Sequence, residues 1–348
     1  MIKFSEYVSL GHPDKVADYI SQYLLDRYIE HDPQTRYAVE VQIKGNQVTL
    51  GGEVSSKHHF SSQDIAGFVR EAVNEIGYTR RYQQKWGAEN TICGDMLNVS
   101  TLISQQSPDI AQGLPGWGDQ GIFFGYASPD RSTCRMPYEH TIAKRICKHL
   151  FDSGIGGLDI KAQVITDDEK IKKLIVAIPL LYGTDEKPVR DYMLGVAHAG
   201  GIASDGCEII INGTGRYVQH SPIADCGTTG RKLAVDFYGG ACRIGGGSPW
   251  TKDGSKADLT LNLYARKLAR QYAEEYGCDV YTSLACCIGK QEVDISVCDA
   301  VGNVLCEGTQ TIDPTELRRA FKLDTPIYAS MCRWGLFGEF QNDKPWEL

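Results

Sequence analysis

The sequence predicts an α+β fold in which β-hairpins alternate with amphipathic helices. Period-two alternation of apolar residues marks the strands, period-3.6 spacing marks the helices, and no long linker or low-complexity tract separates them. Because the strands come in hairpins rather than in strict alternation with helices, we expect antiparallel or mixed sheets that helices cover on one face.

Three hairpins are predicted from strand pairs that turn signals separate. They comprise residues 37–43 with 48–54 through Gly45-Asn46, residues 162–166 with 174–181 through the charged run 167–173, and residues 292–299 with 304–307 through Gly302-Asn303.

Four helices are predicted between these hairpins from apolar residues three and four apart. Their periodic residues span 16–27 after Asp14, 65–76 before Gly77, 142–150 before Gly154 and 257–272 before Gly277. Gly277 suits a left-handed C-cap.

A chain of 348 residues is long enough for two or three domains. The recurrence of hairpin and helix favours three, and we place them at residues 1–105, 106–220 and 221–348.

Composition excludes several classes of function. A net charge of −8 and a pI near 5.5 argue against nucleic acid as a partner. The longest apolar runs, such as residues 174–178, are far shorter than the ~20 residues of a membrane span, and the N-terminus lacks a signal-peptide pattern, so we expect a cytoplasmic protein. The twelve cysteines are scattered without a CxxC pair, which favours buried thiols over a metal cluster.

The first candidate site segment is Gly11-His12-Pro13-Asp14-Lys15, directly before the first helix. Asp14 is a plausible N-cap, and the segment could simply start a helix. His12 and Lys15 add groups that suit phosphate oxygens or a metal ion beside a helix N-terminus. Both interpretations stay open from these residues alone.

The second candidate segment spans residues 216–256 and is rich in glycine. It holds six basic residues and three acidic ones: Arg216, Arg231, Lys232, Arg243, Lys252 and Lys256 against Asp225, Asp236 and Asp253. Glycines let backbone amides approach phosphates, and lysine and arginine neutralise them, so the segment predicts polyphosphate binding. No Walker motif is present.

Isolated acidic residues give weaker signals. Residues 116–121 (GWGDQG) match the dinucleotide-binding motif GxGxxG as a string. A predicted strand follows them instead of a helix, so a dinucleotide-binding fold is rejected. Asp119 then lies at the start of a buried strand. Glu40 and Glu53 lie within predicted strands, where each taken singly is more often an outward-facing residue.

Taken together, these segments resemble the S-adenosylmethionine synthetase (methionine adenosyltransferase) family over almost the whole chain, as a divergent and shortened member. The resemblance rests on seven motifs in order: residues 11–15 (GHPDK), 51–53 (GGE), 106–110 (QSPDI), 118–121 (GDQG), 225–227 (DCG), 229–232 (TGRK) and 245–258 (GGG with KD, K and D).

The resemblance implies three similar α/β-layered domains around a pseudo-threefold axis. It also implies a homodimer or a dimer of dimers with active sites shared between subunits. The implied reaction converts ATP, L-methionine and water into S-adenosylmethionine, diphosphate and phosphate, with two Mg²⁺ ions and K⁺ as cofactors.

The resemblance further assigns roles by position. His12, Lys161, Arg231 and Lys252 would be catalytic, with His12 beside the leaving oxygen. Asp14 and Asp258 resemble the Mg²⁺ ligands, and Glu40 resembles the acid that holds K⁺. The remaining substrate contacts would be Glu53, Gln106 and Asp119 for methionine, Asp159 and Lys161 for the nucleotide, Arg216 and Tyr217 for adenosine, Asp225 for both substrates, Lys232 and Lys256 with Arg231 and Lys252 for the triphosphate and the methionine carboxylate, and Ser248 for the nucleotide.

The chain departs from the family pattern close to these positions. Only residues 113–117 separate Gln112 from GDQG where the family has a longer mobile segment, and residues 248–251 (SPWT) replace Ala-Phe-Ser-Gly. Two alternatives therefore stay open: a triphosphate hydrolase without efficient adenosyl transfer, and a catalytically silent regulatory homologue.

Overall fold

A computed structural model describes residues 1–105, 116–167, 170–201 and 206–348. Within these residues the chain forms twelve strands: β1 (Ile2–Val8), β2 (Arg36–Lys44), β3 (Gln47–Ser55), β4 (Asn98–Ser104), β5 (Gly121–Ala127), β6 (Lys161–Asp167), β7 (Lys170–Ala177), β8 (Glu208–Ile211), β9 (Gly227–Thr228), β10 (Val280–Cys286), β11 (Glu292–Asp299) and β12 (Val304–Thr311).

Ten α-helices accompany the strands in the same residues: α1 (Pro13–His31), α2 (Ser62–Ile76), α3 (Arg80–Trp86), α4 (Tyr138–Ser153), α5 (Lys187–Ala199), α6 (Ser221–Ala224), α7 (Leu233–Asp236), α8 (Ala257–Tyr276), α9 (Pro314–Ala320) and α10 (Tyr328–Cys332). None of these helices combines the length and apolar character needed to cross a membrane.

The strands form three four-stranded sheets, in the orders β1-β6-β7-β8, β9-β2-β3-β4 and β5-β10-β11-β12. The first two sheets share one pattern, in which a central antiparallel hairpin has an antiparallel neighbour on one side and a parallel neighbour on the other. All pairs in the third sheet are antiparallel. The α+β class is therefore confirmed.

The three predicted hairpins are confirmed as β2–β3, β6–β7 and β11–β12. In the second hairpin the charged residues from Lys170 onward belong to β7 instead of the turn. Ile171 is buried while Lys170 and Lys172 on either side are exposed, so their long side chains tolerate strand positions at a half-exposed edge.

The four predicted helices are confirmed as α1, α2, α4 and α8. Gly154 and Gly277 end α4 and α8 in the left-handed conformation that glycine adopts without strain. Asp14 is not the N-cap of α1, because His12 takes that position with its extended backbone. The residue before a proline is driven to extended backbone, and Pro13 suits the first helical position.

Each sheet packs helices on one face. Alternate residues of β2, such as Tyr37, Val39 and Val41, are buried in the same core as α1 and α2, while the intervening residues point the other way. Helices α4 and α5 cover the first sheet, and α8 covers the third. The opposite faces combine polar residues with exposed apolar ones such as Phe4, Leu102 and Ile122.

Strand pairing joins the predicted domain ranges 1–105, 106–220 and 221–348. Strand β1 pairs with β6, β5 pairs with β10, and β9 pairs with β2, so each sheet takes an edge strand from a different sequence range. The domain boundaries at residues 105 and 220 stay a prediction that the sheets do not follow.

Candidate functional site

Two of the sheets bring the start of α1 next to the glycine-rich segment 216–256. Strand β1 leads directly into α1, and β9 pairs with β2 on the sheet that α1 covers. The bond from the Thr228 amide to Asp14 Oδ1 (2.9 Å) and that from the Gly230 amide to Asp18 Oδ1 (2.8 Å) fix the second segment against the first turns of α1. The local motifs thus meet in space.

A cavity of about 380 Å³ lies beside the start of α1. It joins six residues that the resemblance assigned to catalysis or to the nucleotide: His12, Asp159, Lys161, Arg216, Tyr217 and Asp225. Asn212 and Thr214 complete part of the wall. The volume and the mixture of ionic and aromatic groups suit part of a nucleotide.

His12 is buried and electrically neutral in this cavity. Burial, followed by the charges of Lys232 and Lys161, lowers its pKa from 6.5 to about 2. Its Nδ1 accepts the Asp14 amide at 3.2 Å, so the single ring proton resides on Nε2. His12 is therefore a fixed, neutral N–H donor.

Asp159 supplies a buried carboxylate at the cavity wall. Its Oδ2 accepts the Ser221 amide at 3.1 Å, whereas its buried Oδ1 has no hydrogen-bond partner among the described residues. Burial raises the pKa of this carboxyl to about 6. The Tyr217 hydroxyl donates to the backbone carbonyl of Asp159 at 3.1 Å, which fixes the aromatic ring at the cavity wall. An unpaired buried acceptor beside a fixed ring indicates a ligand that donates a hydrogen bond there.

Asp14 holds the cationic pair of the second segment. Lys232 Nζ lies 2.6 Å from Asp14 Oδ2, and Arg231 Nε lies 3.6 Å from Oδ1. Asp14 is fully buried, while the Arg231 side chain is more than half exposed. Both cations can reach an anion outside the protein from these positions.

Asp258 forms a second carboxylate–ammonium pair at the start of α8, with Lys252. A Cβ atom on Gly247 would lie 2.0 Å from Asp258 Oδ1, so any other residue there would force this carboxylate to move. Ser248 Oγ accepts the Trp250 amide at 3.1 Å, and Lys256 is the N-cap residue of α8.

Glu40 on β2 links two loops of the glycine-rich segment, residues 227–232 and residues 245–252. One carboxylate oxygen accepts the hydroxyl of Thr229, and the other accepts that of Thr251 at 3.0 Å. Backbone bridging of Ala38 to Lys252 places the second loop along the same strand.

The residues predicted as metal ligands are Asp14, Asp258 and Glu40. No group of three or more histidine, cysteine, aspartate or glutamate side chains that could hold a metal ion occurs in the described part of the chain. Mg²⁺ usually takes one or two carboxylates together with substrate phosphates, so Asp14 and Asp258 fit it as single ligands. Glu40 fits K⁺ less well, since two hydroxyl donors already engage its oxygens.

The predicted methionine contacts are dispersed. Glu53 on β3 lies opposite Ala38, which separates it from Lys252. Asp119 is exposed just before β5, in the third sheet, and accepts the Cys286 thiol through its backbone oxygen. Gln106 lies outside the described residues.

A buried ionic cluster beneath the site was not predicted from the sequence. Lys15 Nζ lies 2.7 Å from Asp236 and 3.2 Å from Asp18, and Trp250 donates its indole N–H to Asp236 at 2.7 Å. Burial raises the pKa of Asp18 to about 7, and Asp236 raises that of Lys15 against the cost of burial. Its members come from the first turns of α1 and from the segment 216–256, so only the tertiary structure unites them. The one local signal for this cluster was Lys15 itself. It lies in the first turn of a helix, and the first acidic residue that follows it at helical spacing is Asp18.

Known proteins resemble this chain in both fold and sequence. A solved structure described as that of an unusual S-adenosylmethionine synthetase from Campylobacter jejuni superposes with a TM-score of 0.89 at 30% identity, over 100% of this chain and 96% of that one. The fold is thus that of the S-adenosylmethionine synthetases.

Sequence comparisons give the same result. Family models of the S-adenosylmethionine synthetase N-terminal and C-terminal domains match residues 1–108 and 219–348. S-adenosylmethionine synthases from Parafrankia sp. (strain EAN1pec) and Clostridium tetani are 33% and 31% identical over 99% of this chain and 95% of their own lengths. The chain belongs to the S-adenosylmethionine synthetase family, whose members are enzymes.

Proposed function

We propose that the protein is an S-adenosylmethionine synthase. The sulfur of L-methionine attacks C5′ of ATP, the bond from C5′ to the triphosphate oxygen breaks, and water then cleaves the triphosphate into diphosphate and phosphate. The carrying observation is the cavity in which neutral His12, the unpaired Asp159 oxygen and Tyr217 meet beside the cationic pair on Asp14.

The chemistry of the first step explains this composition. Methionine sulfur is a neutral nucleophile that needs no general base, so the barrier lies in aligning three atoms and in expelling a highly charged leaving group. A pre-oriented donor aimed at the developing charge is worth roughly 3–4 kcal/mol, a factor of about 10²–10³ in rate. The Nε2–H of His12 supplies such a donor without adding a titrating charge.

The cationic side chains neutralise the triphosphate. Lys232 pairs with Asp14, and Lys252 pairs with Asp258. Lys161 is exposed at the cavity, and Arg231 is exposed next to Lys232. On binding ATP, the two ammonium groups turn from Asp14 and Asp258 toward phosphate oxygens. Lys256 at the start of α8 and Ser248 on the preceding loop complete this set.

The nucleoside end of ATP occupies the cavity. Tyr217 offers a ring for stacking on adenine, Asp159 Oδ1 accepts a hydrogen bond from the nucleoside, and Arg216 and Asp225 close the wall. Methionine would lie toward Glu53, Gln106 and Asp119, whose assignment rests on their motifs.

Mg²⁺ is the proposed cofactor, and Asp14 and Asp258 would hold it together with phosphate oxygens. Bound there, it supplies positive charge to the leaving triphosphate. We further propose a cytoplasmic homodimer or dimer of dimers, with domains near residues 1–105, 106–220 and 221–348.

The test is a product balance. Purified protein is incubated with ATP and Mg²⁺, with and without methionine, and S-adenosylmethionine, diphosphate and phosphate are quantified together by chromatography. Equal amounts of all three that appear only with methionine support the proposal. Phosphate without S-adenosylmethionine would indicate a triphosphate hydrolase, and absence of turnover would indicate a silent regulatory homologue.

A further inference from the structure

Thr251 adopts a backbone conformation that favours glycine. Its φ angle is +73°, and it is fully buried. A β-branched residue at positive φ is a genuine outlier that persists only where its surroundings hold it. The structure holds Thr251 by its amide, which donates to Gln22 Oε1 at 3.1 Å, and by its carbonyl, which accepts the Val39 amide at 3.1 Å.

The side chain shows what this strained residue supplies. Thr251 Oγ1 donates to Glu40 Oε1 at 3.0 Å, and Thr229 Oγ1 donates to Glu40 Oε2. Glycine would adopt the same backbone without strain but would leave the first of these oxygens without its donor. Where the family pattern has glycine, position 251 of this chain therefore adds a hydroxyl group.

Glu40 thereby joins the two cationic loops. Thr229 lies two residues before Arg231, and Thr251 lies directly before Lys252. Hydrogen bonds to an ionised carboxylate are roughly twice as strong as neutral ones. One carboxylate with two such bonds fixes both loops to β2.

This arrangement bears on the monovalent cation that the family resemblance implied. A cation on Glu40 would supply the positive charge that compensates its carboxylate and the rigid link between neighbouring loops. The two hydroxyl groups direct their partial positive charge at both carboxylate oxygens and already link the loops to β2. The donors directed at Glu40 are proton donors, and a cation would have to compete with them.

We propose that Thr251 is a positioning residue that, with Thr229, holds Glu40 and both cationic loops in place, so that the enzyme needs no monovalent cation. This inference rests on the proposed synthase function. It adds a specific property, cation independence, and a residue that causes it.

The first experiment compares wild type with Thr251→Ser, Thr251→Val and Thr251→Gly. S-adenosylmethionine formation is measured with Mg²⁺ in KCl and in tetramethylammonium chloride at equal ionic strength. Wild type and Thr251→Ser should differ less than twofold between the salts. Thr251→Val keeps the shape and the strained backbone but lacks the hydroxyl, and it should lose at least tenfold in tetramethylammonium and recover partly in KCl. Thr251→Gly also lacks the hydroxyl but relieves the backbone strain, and it should show the same salt dependence as Thr251→Val. It replaces Thr251→Val if the valine variant does not fold.

The second experiment measures binding of the cation itself. Thallous ion replaces K⁺, and its ²⁰⁵Tl resonance is followed on titration with protein. A signal from the Glu40 site is one that saturates with protein and is lost in Glu40→Gln. Wild type should show no such signal. Thr251→Gly should show one. A wild-type rate that rises more than fivefold with KCl, or a saturable wild-type signal that depends on Glu40, would overturn the inference. If no S-adenosylmethionine forms in any salt, the proposed function fails, and the thallium titration still decides the question of the cation.

Discussion

At the scale of single residues, the site depends on groups whose charge the fold has fixed. His12 is neutral because burial and two nearby ammonium groups oppose a positive charge, and its proton is on Nε2 because Nδ1 accepts a helix amide. The same bond makes His12 the N-cap of α1. One interaction thus sets the helix start and the orientation of the donor.

His12→Ala should reduce adenosyl transfer about 10²–10³-fold while ATP binding changes less than about threefold, because the donor acts on charge that develops only in the transition state. Single-turnover rates and ATP titration separate the two effects. His149→Ala, on the exposed face of α4, is the matched control and should change neither. Equal losses in transfer and in binding would contradict the leaving-group role.

The pKa of His12 also predicts a pH dependence of stability. Unfolded His12 gains a proton below about pH 6.5, whereas folded His12 stays neutral down to about 2, so its contribution to the free energy of unfolding falls as the pH is lowered. Between pH 7.5 and 5.5 this amounts to about 1.4 kcal/mol. Urea denaturation at the two pH values should show wild type losing that much more than His12→Gln. Equal losses would mean that His12 is protonated in the folded protein.

Residues such as Thr251 mark the limit of sequence reasoning at this scale. Motifs placed Asp14, Lys232 and Asp258 in the site because their types and spacing carry chemistry. Nothing local in the sequence indicates that Thr251 donates to Glu40, 211 positions away. Contacts of this kind depend on strand pairing, which local patterns do not encode.

At the scale of elements, helices were predictable because their signals are local. Apolar periodicity located α1, α2, α4 and α8, and terminal glycines marked the ends of the last three, since both signals act within a few residues of chain. The N-cap of α1 was missed by two positions because the proline rule acts on the preceding residue.

Glycine substitutions in two helices should have opposite effects on stability. Gly277 ends α8 at φ +66°, where a Cβ atom is strained, so Gly277→Ala should destabilise the protein by about 1–2 kcal/mol. Gly195 lies on the exposed side of α5 with open space at its Cβ position, so Gly195→Ala should stabilise it by roughly 0.5–1 kcal/mol. Chemical denaturation of both variants gives the comparison. A shift of the same sign in both would show that backbone conformation does not govern these positions.

At the scale of the whole molecule, the chain interleaves its parts. Strand β1 pairs with β6 about 160 residues later, and the largest core combines Leu10 with Trp346. The sequence predicted the hairpins β2–β3, β6–β7 and β11–β12, whose partners are adjacent in sequence. It did not predict the pairings of β1 with β6, β5 with β10 and β9 with β2, because these partners are far apart in sequence.

The C-terminus completes this interleaving through a buried ion pair. Arg266 on α8 lies 3.0 and 2.9 Å from the two carboxylate oxygens of Glu347, and both side chains are at most 1% exposed. Arg270 and the Gly338 amide contact the same carboxylate at 3.2 and 3.0 Å. Glu347 therefore compensates a charge in the interior.

Glu347→Gln should lower the free energy of unfolding by about 3 kcal/mol or more, because it leaves the Arg266 charge buried without an anion. Asp343→Asn is the control, since Asp343 lies in the same segment but its carboxylate is 76% exposed, so its pair with Lys344 is worth less than about 1 kcal/mol. Urea denaturation followed by tryptophan fluorescence measures both variants, because Trp346 is buried next to Glu347. Losses of similar size in the two variants would refute the structural role of the buried pair and assign the effect to the negative charge of the tail.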